Sequence, residues 1–236
     1  MTISKKYQSL KFSKNDLEYF DFHEKRYDYL IKILKKYTHP EKKYIVLDIG
    51  VSFQTLLIRD YFENFEIDTL GFTIEQYRPS KDSIDHKFDL NYSDTKGDEL
   101  KEYFGYYDII IFAEVIEHLR TKPEKTLILL NKLLKKGGIL VVQTPNAAFF
   151  WNRVKLFFGK NPYMRIRDEI NNPGHFREYT IKELIEMANL TGFEVEFWEA
   201  KNYFNHKGFI KKLAIMLINF MPKTFKNGFS LLLKKR

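Results

Sequence analysis

Apolar residues at Tyr27, Leu30, Ile31, Leu34 and Tyr37 recur at helical spacing and predict an amphipathic helix that ends before His39-Pro40. Tyr44 to Gly50, YIVLDIG, is an almost continuous apolar run closing on an acid and a glycine. That is the pattern of a buried parallel strand opening into a loop. Shorter runs predict strands at Ile67 to Phe72 and His86 to Leu90, and YYDIIIFA (Tyr106 to Ala113) predicts the strongest strand. A helical stretch follows from Val115 to Leu134, broken by Lys136-Gly137-Gly138, and Ile139 to Asn146 reads as the next buried strand. Thr180-Ile181-Lys182-Glu183 is a capping box that opens a helix, and Thr191-Gly192 closes it. Phe193 to Trp198 and Phe229 to Leu233 are the last two strands.

Apolar strands alternating with helices predict an α/β fold: a doubly wound, mostly parallel sheet of seven strands, with helices on both faces and a closing antiparallel hairpin. The whole chain, 1–236, reads as a single domain. Residues 1–40 form an N-terminal helical extension, 146–179 a lid over the site, and 205–227 an apolar helical insertion before the last strand. Ligands of such sheets bind at the carboxyl ends of the strands. The loops of interest therefore begin at Asp48, Phe72, Leu90, Ala113 and Thr144.

Composition narrows the chemistry. Thirty-nine basic against 31 acidic residues give a net charge of +8, which suggests an anionic partner or surface without choosing among them. The absence of cysteine excludes a disulfide scaffold, a thiolate zinc site and a cysteine nucleophile. No stretch reaches the ~18 apolar residues of a membrane span, and the first residues lack the apolar core of a signal peptide. The expected location is cytoplasmic, with a peripheral membrane association through the C-terminal apolar stretch as a variant of it.

The succession VLDIG, YDIIIFAEVIEHL, LLKKGGILVVQTPN and HFREYTIKELIEMANLTGF resembles the class I S-adenosylmethionine-dependent methyltransferases. The nearest group holds the ubiquinone-type and glycan-cluster O-methyltransferases, and the resemblance spans Tyr44 to Phe197. It implies a Rossmann-like methyltransferase fold and S-adenosyl-L-methionine as cofactor. The implied cofactor residues are Asp48, Gly50, Val51 and Ser52 in the first loop, Thr73 after the second strand, Asp89 and Leu90 after the third, and Ala113 after the fourth. Asp89 would face the adenine amino group, although an Asp-x-Asn turn has the same sequence. Two features depart from the family. Its first loop reads D-x-G-x-G-x-G, whereas here Ser52 and Gln54 replace the second and third glycines. The acid that usually ends the second strand is Thr73, with Glu75 two residues on.

Glu114, Glu117 and His118 stand at i, i+3 and i+4, so a helix beginning there would project all three from one face. His175 comes from a later loop. Two carboxylates and two imidazoles suit a divalent ion, Mg²⁺ or Mn²⁺ by oxygen preference and Zn²⁺ by histidine preference. In similar enzymes, the small-RNA 3′-terminal ribose methyltransferases among them, this pattern binds a metal that grips adjacent hydroxyls. Without a metal, His118 and His175 are the candidate catalytic bases, and a first-turn glutamate is also favoured by the helix dipole alone.

The remaining histidines, His23, His39, His86 and His206, are expected at the surface or in turns. Arg153, Arg165, Arg167 and Arg177 lie among Phe149, Phe150, Trp151, Phe157, Phe158 and Tyr163. They would either clamp an anionic or sugar-bearing substrate or form a lid with a solvated rim. Phe209 to Met221, flanked by lysines, suits a peripheral membrane or dimer contact, or packing on the sheet. The expected function is O-methylation of a sugar or glycan-type hydroxyl, on a small molecule or a glycan. DNA is not an expected partner. RNA ribose methylation and a non-catalytic binding role are the alternatives.

Overall fold

The computed structural model describes residues 14–72, 77–163, 165–168, 174–204 and 216–236. The chain opens with the long helix α1 (Lys14–Tyr37), whose apolar stripe is the one read from Tyr27 to Tyr37. Then come β1 (Tyr44–Ile49), α2 (Phe53–Tyr61), β2 (Phe65–Leu70), the two-residue β3 (Asp85–His86) and β4 (Tyr107–Ala113). Next are α3 (Pro123–Leu133), β5 (Leu134–Pro145), α4 (Phe150–Phe157), α5 (Ile181–Leu190), β6 (Phe193–Lys201) and β7 (Gly228–Lys235).

Among the described residues the strands form one sheet in the order β3-β2-β1-β4-β5-β7-β6. β1 to β5 pair in parallel, and β7 is antiparallel to both β5 and β6. This is the expected doubly wound sheet with its closing hairpin. Chain order reverses at β1 and β4, and the carboxyl ends of those strands flank the crevice where such sheets bind ligands.

Strand alternation divides the core between the two faces. Ile109 and Ile111 face Tyr27, Leu30 and Leu34 of α1 and Leu57 of α2. Ile110 and Phe112 face Leu127 and Leu130 of α3 and Leu184 of α5. α5 begins at its capping box, where Thr180 and Glu183 satisfy each other's backbone N–H groups.

Two expected elements are corrected. The helix expected from Val115 to Leu134 forms only from Pro123 to Leu133, and a single 3₁₀ turn, Ile116–His118, precedes it. Pro123 explains the late start: it occupies the first turn of α3, and Lys122 before it is extended at ψ 118°. The third strand stops at His86, because the Asp89 side chain caps a 3₁₀ turn, Leu90–Tyr92, in place of further pairing. In the insertion before β7, residues 205–215 lie outside the described residues. Its described end is helical only at 216–218, with Ile218 buried and Met216, Leu217 and Phe220 exposed.

Candidate functional site

A cleft of about 1020 Å³ opens at the carboxyl ends of β1, β2, β4 and β5. One side is lined by Gly50, Phe72, Asp89, Asn91, Glu114 and Val115. His118, His175, Phe176 and Glu178 lie deeper along it, and Tyr19, Phe22 and His23 of α1 form a wall with Phe204.

The loop after β1 is built differently from a glycine-rich one. Ser52 caps α2, with Thr55 completing the capping box. Asp48 is fully buried; Gln54 Nε2 donates to its Oδ1 at 3.0 Å and Thr55 Oγ1 to its Oδ2 at 2.6 Å. Burial pushes the Asp48 carboxyl up to about 6 against the lowering effect of those two donors. Phe53 packs on Phe20 in the core. Neither Phe53 nor Gln54 lines the cleft, so the substituted loop leaves it open.

Gly50 holds the turn at φ +81°, and a Cβ there would lie 3.1 Å from Val115 Cγ2. Of the expected cofactor residues, Gly50 and Asp89 line the cleft. Asp48, Val51, Leu90 and Ala113 are buried behind it, Ser52 serves as the cap, and Thr73 lies outside the described residues. Asp89 does make the Asp-x-Asn turn: its Oδ1 accepts from Asn91 N at 2.9 Å and from Asn91 Nδ2 at 2.7 Å.

Without the expected helix, Glu114, Glu117 and His118 do not share a helical face. Glu114 turns the chain at φ +56°, in the left-handed region. Among the described residues, Glu117, His118 and His175 nevertheless come together, each offering a ligand atom within 4.8 Å of the others'. Glu114 stands outside this group. Backbone bonds explain how His175 arrives: Phe176 N and Arg177 N both donate to Glu117 O, at 2.8 and 3.3 Å.

The two imidazoles are fixed in tautomer by what their Nδ1 atoms meet. His118 Nδ1 lies 2.9 Å from the Gly174 carbonyl, which can only accept. His175 Nδ1 lies 2.9 Å from Glu178 Oε1. Both Nδ1 atoms therefore donate, and in the neutral rings each Nε2 keeps its lone pair. The rings meet edge to face, with centroids 4.9 Å apart. Glu117 Oε2 accepts from Thr144 Oγ1 at 3.0 Å, while the buried Oε1 has no partner among the described residues. A buried carboxylate oxygen without a donor is costly unless a ligand satisfies it. Burial raises both Glu114 and Glu117, and the negative charge of Glu117 raises Glu114 further. Burial holds His118 below the usual histidine range, hence neutral.

His23 corrects the expectation of a surface histidine. It is 5% exposed, and Arg26 Nε donates to its Nδ1 at 3.2 Å, so its proton sits on Nε2. Burial, then the Arg26 charge, lowers it to about 2. His86 is also buried, 2.7 Å from the Tyr107 hydroxyl, whereas His39 is exposed as expected and His206 lies outside the described residues. Four arginines do not converge on a clamp. Arg177 pairs with Glu183 at 2.6 Å, Arg153 lies over Phe225, and of the four only Arg167 lines the cleft, joined there by Arg120. The α1 wall was missed from sequence; its signal is the aromatic cluster Tyr19, Phe20 and Phe22 just upstream of the periodic stretch.

The methyltransferase-domain family matches residues 22–196, which hold most of the sheet and every cleft residue named above except Tyr19 and Phe204. No curated protein gives a significant match. An S-adenosylmethionine-dependent methyltransferase from Archaeoglobus fulgidus is 16% identical at a TM-score of 0.57, covering 94% of this chain and 100% of that one. Another, from Methanosarcina mazei, is 13% identical at 0.56, covering 86% and 96%. At such identities these structures speak for the fold alone. The family match decides the rest, and the chain belongs to the methyltransferase-domain family, among the class I S-adenosylmethionine-dependent methyltransferases.

Proposed function

We propose that the protein methylates a hydroxyl of a sugar or glycan-type acceptor, assisted by a Mg²⁺ or Mn²⁺ ion held by Glu117, His118 and His175. The observation that carries this reading is the convergence of the unpartnered Glu117 Oε1 with two imidazoles whose Nε2 atoms are free to coordinate. The donor set fits a cation. Each histidine is braced at Nδ1 by a carbonyl or carboxylate, as metal-bound histidines are. When bound, S-adenosylmethionine supplies a methyl group already activated on a sulfonium, and the ion supplies a Lewis acid that acidifies hydroxyls.

The chain's own residues supply position and proton handling. Gly50 and Asp89 border the adenosyl side, and Phe72, exposed at the end of the second strand, offers a face for stacking. The Tyr19, Phe22, His23 and Phe204 wall excludes water from the acceptor side. His23 presents an Nε2–H as a fixed donor to an acceptor oxygen, because Arg26 occupies its other nitrogen. Glu114, a cleft-lining carboxyl at the end of β4 that burial raises, is the candidate to take a hydroxyl proton.

The test is calorimetric titration of metal-stripped protein with S-adenosylhomocysteine, with and without Mn²⁺, followed by transfer of labelled methyl to a panel of glycans. Cofactor-product binding together with Mn²⁺-dependent transfer is the expected result. Full transfer in chelator would remove the metal from the reading, and labelling of RNA rather than glycans would replace the acceptor.

A further inference from the structure

Charge is segregated along this chain. From Phe149 to Arg167 there are five basic residues and no acid, and from Asn202 to Lys226 five basic residues and no acid. The remainder of the molecule is therefore net acidic, although the whole carries +8. Among the described residues, the same two stretches hold the two most exposed large apolar side chains, Phe220 and Phe157. α4 has no buried residue; Leu156 and Phe157 end it and Phe158 follows, with Phe157 85% exposed. Met216, Leu217 and Phe220 are exposed before β7, Phe220 by 87%.

The fold brings the two stretches together. Phe150 of α4 packs against Phe225 with centroids 6.1 Å apart. Arg153 lies 4.3 Å over the same ring, and its Nη2 approaches the Thr224 carbonyl at 3.5 Å. Lys226 Nζ in turn donates to the Ile218 carbonyl at 2.7 Å, tying the exposed turn to this junction. Phe149 and Asn152, at the start of α4, line the cleft. The basic, apolar surface thus adjoins the mouth of the site.

We propose that α4 and the Met216–Phe220 turn form a membrane-docking surface that seats the protein on an anionic phospholipid bilayer, with the cleft mouth facing the lipid headgroups. Large apolar side chains interleaved with lysine and arginine match the two layers of such an interface. The rings enter the headgroup–acyl boundary, and the cations meet phosphate. A polyanion such as RNA would use the cations but leaves Leu156, Met216 and Leu217 without a role. No described helix is long and apolar enough to cross a bilayer, so the association is peripheral. The surface does not depend on which acceptor the site takes.

The test uses the full chain and co-sedimentation with vesicles of phosphatidylcholine, alone or with about one third phosphatidylglycerol. Binding is expected only to the anionic vesicles, weakened at least fivefold by half-molar salt. Phe157→Ser with Phe158→Ser should weaken it about tenfold, and Lys155→Glu with Lys160→Glu likewise. S-adenosylhomocysteine affinity should be unchanged in both variants, which also reports intact folding. Phe220→Ser on the second stretch gives an independent reading and should weaken binding as well. Absence of binding to anionic vesicles at millimolar lipid would overturn the proposal. So would binding that none of the apolar variants alters, or a dimer that Phe157→Ser with Phe158→Ser dissociates while vesicle binding stays intact.

Discussion

Arg26 Nη1 donates to Gln54 Oε1 at 2.7 Å inside the protein, joining the N-terminal helix to the first loop of the sheet. The same nitrogen reaches Gln143 Oε1 of β5 at 3.2 Å. Gln54 stands where related loops have their third glycine, and its amide bridges Asp48 to Arg26. The departure from the glycine pattern is thus compensated by α1, which supplies a buried cation where bare backbone would otherwise suffice.

Gln54→Gly, which restores the family residue, is therefore expected to harm this protein. It removes a hydrogen bond to a buried charged group, at ~1.5–3 kcal/mol, and adds the helix penalty of glycine, up to ~1 kcal/mol. Urea unfolding should show a loss of about 2–4 kcal/mol. A gain in stability would show that the Arg26 bridge contributes nothing.

His23 makes stability depend on pH. Its folded value of about 2 lies below the ordinary 6.5, so the folded state binds fewer protons than the unfolded state. Its contribution is complete above pH 6.5 and declines as pH falls toward 2. Between pH 6.5 and 5 the loss is about 2 kcal/mol. His23→Asn keeps an acceptor for Arg26 but cannot titrate. The unfolding free energy of wild type minus that of the variant should fall on acidification; parallel curves would refute the assignment.

The sheet was legible because its strands are near-continuous apolar runs, as in YIVLDIG and YYDIIIFA, and the capped α5 because Thr180 and Glu183 carry their own signal. The convergence of Glu117, His118 and His175 was legible as residue types but not as geometry. Helical spacing suggested one face, yet Pro123 delays the helix and Glu114 turns the chain at φ +56°. What joins the residues is long-range backbone pairing from Phe176 and Arg177 to Glu117, which no local spacing encodes. The α1 wall was hidden for the opposite reason. An arginine and a histidine on an amphipathic helix read as solvent-facing until the sheet end closes over them.

Glu178 offers a test of the metal reading one step away from the coordinating atoms. Its carboxylate holds His175 Nδ1, which sets the ring orientation and raises the basicity of Nε2. Glu178→Ala should lower Mn²⁺ affinity roughly 10–100-fold, as loss of such a partner does elsewhere. S-adenosylhomocysteine affinity should stay within about a factor of two, because every 1.4 kcal/mol is tenfold and no adenosyl contact is removed. Mn²⁺ affinity should also fall on acidification, since the imidazoles must be neutral to bind. Glu117, which burial raises, must be deprotonated as well, so the fall begins with its carboxyl rather than with His118, which burial holds low. Unchanged Mn²⁺ affinity in Glu178→Ala would place the ion elsewhere.

Gly50 separates the needs of the fold from those of the cofactor. At φ +81° an alanine pays the left-handed penalty of ~1–2 kcal/mol, which the whole protein can bear. Its Cβ would also stand 3.1 Å from Val115 Cγ2, tighter than ordinary contact. Val115 lines the cleft, so relief of that contact pushes its side chain into the cleft, on the side proposed for the adenosyl group. Gly50→Ala should therefore fold, with an unfolding free energy lower by about 1–2 kcal/mol. Its S-adenosylhomocysteine affinity should fall more than tenfold, beyond about 1.4 kcal/mol of binding energy. Combining it with Val115→Ala removes the clashing methyl while leaving the backbone strain in place. That double variant should recover most of the affinity and none of the stability. If affinity and stability instead rise and fall together in both variants, Gly50 serves the turn alone and the adenosyl side of the cleft must be sought elsewhere.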